Sequence, residues 1–103
     1  MPDSDLRQSL DDEFEDAFPG CTLTHVITVI GEDRLSLALE ALRAVQASGG
    51  ALAALHLVRR GGAFEHQLRL VGLRPRQARV LTDRLSAMPG VERAVVEHQI
   101  LSR

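Results

Sequence analysis

Apolar and polar positions along the chain alternate between two rhythms. Leu23 to Ile30 (LTHVITVI) is rich in β-branched residues and stops at Gly31, which predicts a strand. From Asp33, a candidate N-cap, Leu35, Ala38, Leu42 and Val45 recur at three- and four-residue intervals with Leu39 beside them. That spacing predicts a helix ended by Ser48-Gly49-Gly50. Ala51 to Arg59 reads as a second strand, and Arg60-Gly61-Gly62 supplies a tight connection to a third, Ala63 to Val71. In the third, Phe64, His66, Leu68 and Leu70 alternate with Glu65, Gln67 and Arg69, so one face is buried and the other wet. Pro75 suits a first helical turn. Ala78, Leu81, Leu85 and Met88 repeat the offsets of the first helix until Pro89-Gly90, and Val91 to Leu101 is the last strand.

The order strand, helix, strand, strand, helix, strand is that of the split βαβ motif. With right-handed crossovers it predicts an α+β, ferredoxin-like βαββαβ sandwich. Its four-stranded antiparallel sheet runs in the order 4-1-3-2, with both helices on one face. The other face is left open, a place where a second copy would associate, so the chain is expected to be a homodimer.

Residues 1–20 form a separate element ahead of the domain at 21–103. Leu6, Leu10, Phe14, Ala17 and Phe18 fall on one helical stripe between a Ser4 cap and a Pro19-Gly20 stop, which predicts an N-terminal helix. Five acids stand in its second half, where the negative end of the helix dipole opposes them, so this helix needs a surface to pack on, either the domain or a second subunit; the alternative reading is a disordered acidic tail.

Composition narrows the function. One domain is all that 103 residues support, and with 3% aromatic residues the core must be aliphatic. No apolar run approaches the roughly 20 residues of a membrane span. The acidic start is unlike a signal peptide, and a cytoplasmic location is expected. Cys21 is the only cysteine, which excludes an internal disulfide. Net charge is −2, but residues 1–20 hold seven acids against Arg7, a net of −6, while the rest holds eleven arginines against seven acids, a net of +4. That positive balance is mild, and no aromatic residue interleaves with the arginines as base stacking would require. Nucleic acid is therefore not an expected partner.

Candidate chemistry is sparse. His25, His56, His66 and His98 fall one per strand with no metal-ligand spacing, and they read as partly buried strand histidines. No local nucleophile signature surrounds Ser36, Ser48, Ser86 or Cys21, and no phosphate-cradling glycine loop occurs. The expectation is a protein without catalytic residues, metal or cofactor. The remaining candidate is Gly31-Glu32-Asp33-Arg34-Leu35-Ser36. There a helix start presents unpaired N–H groups and a positive dipole end to a carboxylate, or else Asp33 merely caps the helix internally.

The segments VITVI, GEDR, LSLALEALRAVQASGG and RPRQARVLTDRLSAMPGV together resemble the ACT domain, over about residues 23–101. Within that family the likeness is nearest to the short regulatory small subunits of acetolactate synthase. The resemblance implies a non-catalytic domain that pairs with a copy of itself, binds a small amino acid at the interface, and transmits that binding to an enzyme. It assigns the ligand site to Gly31, Glu32, Asp33, Arg34, Leu35 and Ser36 on one side and Gly49, Gly50, Ala51 and Leu52 on the other. The family often has Pro-Gly where this chain has Leu35-Ser36, so a side chain stands where the ligand would approach the backbone. Two rival readings remain. One is a structural dimerisation or interaction module with a vestigial site. The other is a small acylphosphatase-type hydrolase, which needs an asparagine this chain lacks.

Overall fold

A computed structural model describes residues 22–101. β1 (Thr22–Glu32) is followed by α1 (Leu35–Ser48), β2 (Ala51–Arg60), β3 (Ala63–Val71), α2 (Pro75–Ser86) and β4 (Val91–Leu101). The strands form one antiparallel sheet in the order β2-β3-β1-β4, the expected order read from the other edge. The N-terminal helix assigned to residues 1–20 lies outside the described residues.

Strand alternation places the core. Cross-strand pairing sets His25, Ile27 and Val29 of β1 against Leu70, Leu68 and His66 of β3, all buried. The intervening Val26, Thr28 and Ile30 pair with Arg69, Gln67 and Glu65 on the opposite face. Ile27, Val29, Leu68 and Leu70 cluster with Ala41, Ala44 and Val45 of α1 and Ala78, Leu81 and Leu85 of α2, so both helices cover the same face. The core is aliphatic, as the composition required. Among the described residues no helix is long and apolar enough to cross a membrane.

α2 follows its sequence pattern: Pro75 opens it, Ala78, Leu81 and Leu85 are buried, and Met88 packs against the cluster's margin. α1 does not. Its buried residues are Leu37, Ala38, Ala41, Ala44 and Val45, whereas Leu35 is 62% and Leu39 52% exposed. The helix is turned by about one residue position from the leucine stripe. Small alanines let its backbone lie close to the sheet, and the larger leucines are displaced to one flank. Glu40, Arg43 and Ala44 line a cleft towards Arg84, Met88 and Pro89, so the flank bearing Leu35, Leu39 and Leu42 faces away from α2, over β2. Leu55 and Leu57 of β2 pair with Leu68 and His66, which puts them on the helix side of the sheet, yet they remain 38% and 37% exposed beside Leu52. The exposed apolar surface is therefore concentrated along β2 and α1. On the open sheet face, where the sequence reading placed it, Val95 is the one exposed large aliphatic among the described residues.

Candidate functional site

The loop from Gly31 to Ser36 is held by its own side chains. Arg34 is its centre: Nε donates to Glu32 Oε2 at 3.0 Å, Nη1 to Ser36 Oγ at 2.7 Å, and Nη2 to the carbonyl of Pro89 at 3.0 Å. Glu32 N–H donates to the carbonyl of Gly90 at 2.9 Å, which ties the end of β1 to the turn that opens β4. Gly90 has φ of 91°, and a Cβ there would sit 2.8 Å from Arg34 Nη2, so glycine both permits the turn and leaves room for the guanidinium.

Asp33 is not the helix cap that its position suggested. Arg34 occupies the N-cap position of α1 without a side-chain cap bond, and Asp33 Oδ1 accepts from Arg59 Nε at 2.7 Å. Arg59 also lies 5.3 Å from the centroid of the Phe64 ring. The competing partner comes from β2, 26 residues along, which local spacing cannot reveal. With no acid in its first turn, α1 opens on the positive end of its dipole with Ser36 Oγ beside it, while the Arg34 guanidinium is ion-paired with Glu32 at 3.0 Å and Glu40 at 3.8 Å.

The second half of the predicted site lies elsewhere. Gly49 takes the left-handed C-cap conformation with φ of 85°. Gly50 N–H donates to Ser48 Oγ, and a Cβ on Gly50 would meet Leu73 Cγ at 2.8 Å. Ala51 and Leu52 open the edge strand β2. The two halves stand at opposite ends of a 14-residue helix, about 21 Å apart, so one chain does not bring them together.

The histidines are less scattered than their spacing suggests. β1–β4 register pairs His25 with His98, and their Nδ1 atoms are 2.8 Å apart. His25 Nε2 lies 2.7 Å from the carbonyl of Leu73, so that nitrogen carries the proton, and His25 Nδ1 accepts from His98 Nδ1–H. Only the register, not the spacing, could have found this pair. No group of three or more His, Cys, Asp or Glu side chains suited to a metal occurs among the described residues.

His66 is fully buried against the edge of Phe64, and neither ring nitrogen has a hydrogen-bond partner among the described residues. Burial lowers its pKa from the usual 6.5. The unfolded chain therefore takes up this proton first as pH falls below 6.5, and stability is lost from there down through the folded-state pKa. His66→Leu is expected to raise the unfolding free energy by about 1 kcal/mol, because a buried unpaired imidazole costs more than an apolar group of similar size. It should also reduce the loss of stability on acidification. Urea unfolding above and below pH 6.5 checks both; equal pH dependence in the two proteins would refute the assignment.

No protein-family pattern matches this sequence, and no curated protein sequence matches it. Solved structures do. The ACT domain from GTP pyrophosphokinase of Chlorobium tepidum is 17% identical, with a TM-score of 0.64 over 74% of this chain and 99% of that one. A homoserine dehydrogenase from Thiobacillus denitrificans matches at 11% identity and a TM-score of 0.63, over 79% of this chain but 18% of the dehydrogenase. The C-terminal domain of the MgtC protein from Mycobacterium tuberculosis gives 18% identity and 0.60 over 81% and 90%. At these identities the likeness is one of architecture: the described chain carries the ferredoxin-like fold of the ACT domains.

Proposed function

We propose that this chain is a non-catalytic regulatory module of the ACT type, which pairs with a second copy through β2 and binds a small amino acid where the two copies meet. One observation carries the reading. Leu35, Leu39, Leu52, Leu55 and Leu57 expose an apolar flank beside an edge strand whose outer backbone groups can pair with another strand. A two-fold axis beside β2 would set two β2 strands antiparallel and lay the two α1 helices side by side in opposite directions. Such a pair places Gly31–Ser36 of one copy next to Gly49–Leu52 of the other, which joins the two halves that a single chain keeps apart.

The positive dipole end at the start of α1 suits the carboxylate of an amino acid, and the leucines suit a branched side chain. The partner enzyme we propose is a synthase of the acetolactate class, on the strength of the sequence likeness to its small subunits. Ligand binding to the pair would then act by favouring one state of that enzyme. A second reading, an interaction module with a vestigial pocket, is favoured by Arg34, whose guanidinium already has Glu32, Ser36 and Pro89 as partners.

Light scattering should give a dimer mass at tens of micromolar for the native chain and a monomer for Leu55→Arg, and a native monomer would sink the pairing. Titration calorimetry with valine, leucine and isoleucine should give weak binding, with Kd on the order of 0.1–1 mM, tightened by Ser36→Gly. No heat from either form at about 10 mM, with the dimer intact, would leave the vestigial reading standing.

A further inference from the structure

We infer that the open face of the sheet is a second self-association surface, on which a copy of the chain packs face to face about a two-fold axis lying across the strands at Thr28.

The register lays this face out in rows. Thr28 pairs with Gln67 of β3 on one side and Val95 of β4 on the other. In the next row towards the end of β1, Ile30 stands between Glu65 and Arg93; in the next row towards its start, Val26 stands between Arg69 and Glu97. Each of these two rows therefore carries one acid and one base about an aliphatic centre, and the signs are reversed from one row to the other. Arg69, Arg93 and Glu97 are exposed, and Glu65 is half-buried.

One chain does not neutralise this pattern. Glu65 and Arg69 share β3, and Arg93 and Glu97 share β4, in each case four residues and about 13 Å apart. Within a row the acid and the base are separated by β1, about 10 Å. None of the four joins an ion pair or a side-chain hydrogen bond among the described residues.

A second copy does neutralise it. A two-fold axis along the Thr28 row, midway between two facing sheets, brings the Ile30 row of one copy over the Val26 row of the other. Glu65 of one copy then meets Arg69 of the other, Arg93 meets Glu97, and Ile30 meets Val26, each contact being made twice. The long arginine and glutamate side chains reach across the spacing of about 10 Å between packed sheets. A two-fold axis along β1 would also match the charges, but it leaves β2 opposite no strand, whereas the axis across the strands sets all four strands over their own copies. An unrelated partner would have to carry the inverse pattern, which a second copy carries by symmetry.

This face is opposite the side of the sheet that bears Leu55 and Leu57, so pairing through β2 leaves it free. Exposed ion pairs contribute little each and are screened by salt, so association here is weak and salt-sensitive.

The test is sedimentation equilibrium of the full chain carrying Leu55→Arg, at about 1 mM protein, in about 20 mM and about 0.5 M salt. The mass in low salt is expected to be close to twice that in high salt. Adding Glu65→Arg, which sets arginine against Arg69 of the other copy, should abolish the doubling. Adding Arg69→Glu as well should restore it, because the exchanged charges again face their opposites. No doubling in low salt, doubling that survives Glu65→Arg, or no rescue by the exchange would each overturn the inference. Pairing through β2 is judged separately, at tens of micromolar, where this weaker contact is absent, so the two failures are distinguishable.

Discussion

Gly31→Ala is expected to lower the unfolding free energy by about 3 kcal/mol, the upper part of the usual range for overpacking. An added Cβ would lie 2.5 Å from the carbonyl oxygen of Gly90, 2.7 Å from Leu37 Cδ2 and 3.2 Å from Val91 Cα. Two of these are backbone atoms, and the third belongs to a fully buried side chain, so no flexible group can yield. Gly31 also stands where the β1–β4 register shifts, and the adjacent Glu32 N–H bonds to the same Gly90 carbonyl. The strain would thus fall on the contact that fixes the end of β1 against the turn opening β4. Urea unfolding should show a lower midpoint at unchanged slope. A loss below about 0.5 kcal/mol would mean that the loop relaxes freely.

His25→Leu is expected to cost about 2–3 kcal/mol, opposite in sign to His66→Leu although both rings are fully buried in the same sheet. His25 uses both nitrogens, one towards Leu73 and one towards His98, so its removal strands a buried carbonyl and the Nδ1 of its neighbour. His66 uses neither among the described residues. Thermal unfolding of the two variants at neutral pH checks the contrast. Equal effects would show that burial alone, rather than hydrogen bonding, decides what these histidines contribute.

How much of this was legible in the sequence depended on the range of the interaction. β3 could be read residue by residue, because its two faces meet different surroundings and the alternation records both. The strand order followed from element order and crossover handedness alone. In α1 the pattern marks Ala38 and Val45 correctly but overrates Leu35 and Leu39, because leucine outranks alanine in hydrophobicity, whereas the close approach of a helix to a sheet selects alanine for contact. At the candidate site the spacing located the loop but not its internal bonding. Arg59 claims Asp33 and Pro89 accepts from Arg34 across 26 and 55 residues, and the His25–His98 pair spans 73. Such pairs follow from register and loop packing, which local patterns do not encode.

The edge strand β2 carries one more consequence. Its ten residues, ALAALHLVRR, hold their only charges at the last two positions. Proteins commonly protect such an edge with an inward-pointing charge, a proline or a bulge in mid-strand; here the register irregularity between Leu52 and Ala54 falls near the start and leaves Leu55 to Val58 regular. Any extended chain of similar character can prolong that ladder, including an unfolded copy of the same protein. On the pairing through β2 proposed above, correct assembly and resistance to aggregation become one problem: the surface that would recruit a second copy is the surface that must be hidden soon after synthesis.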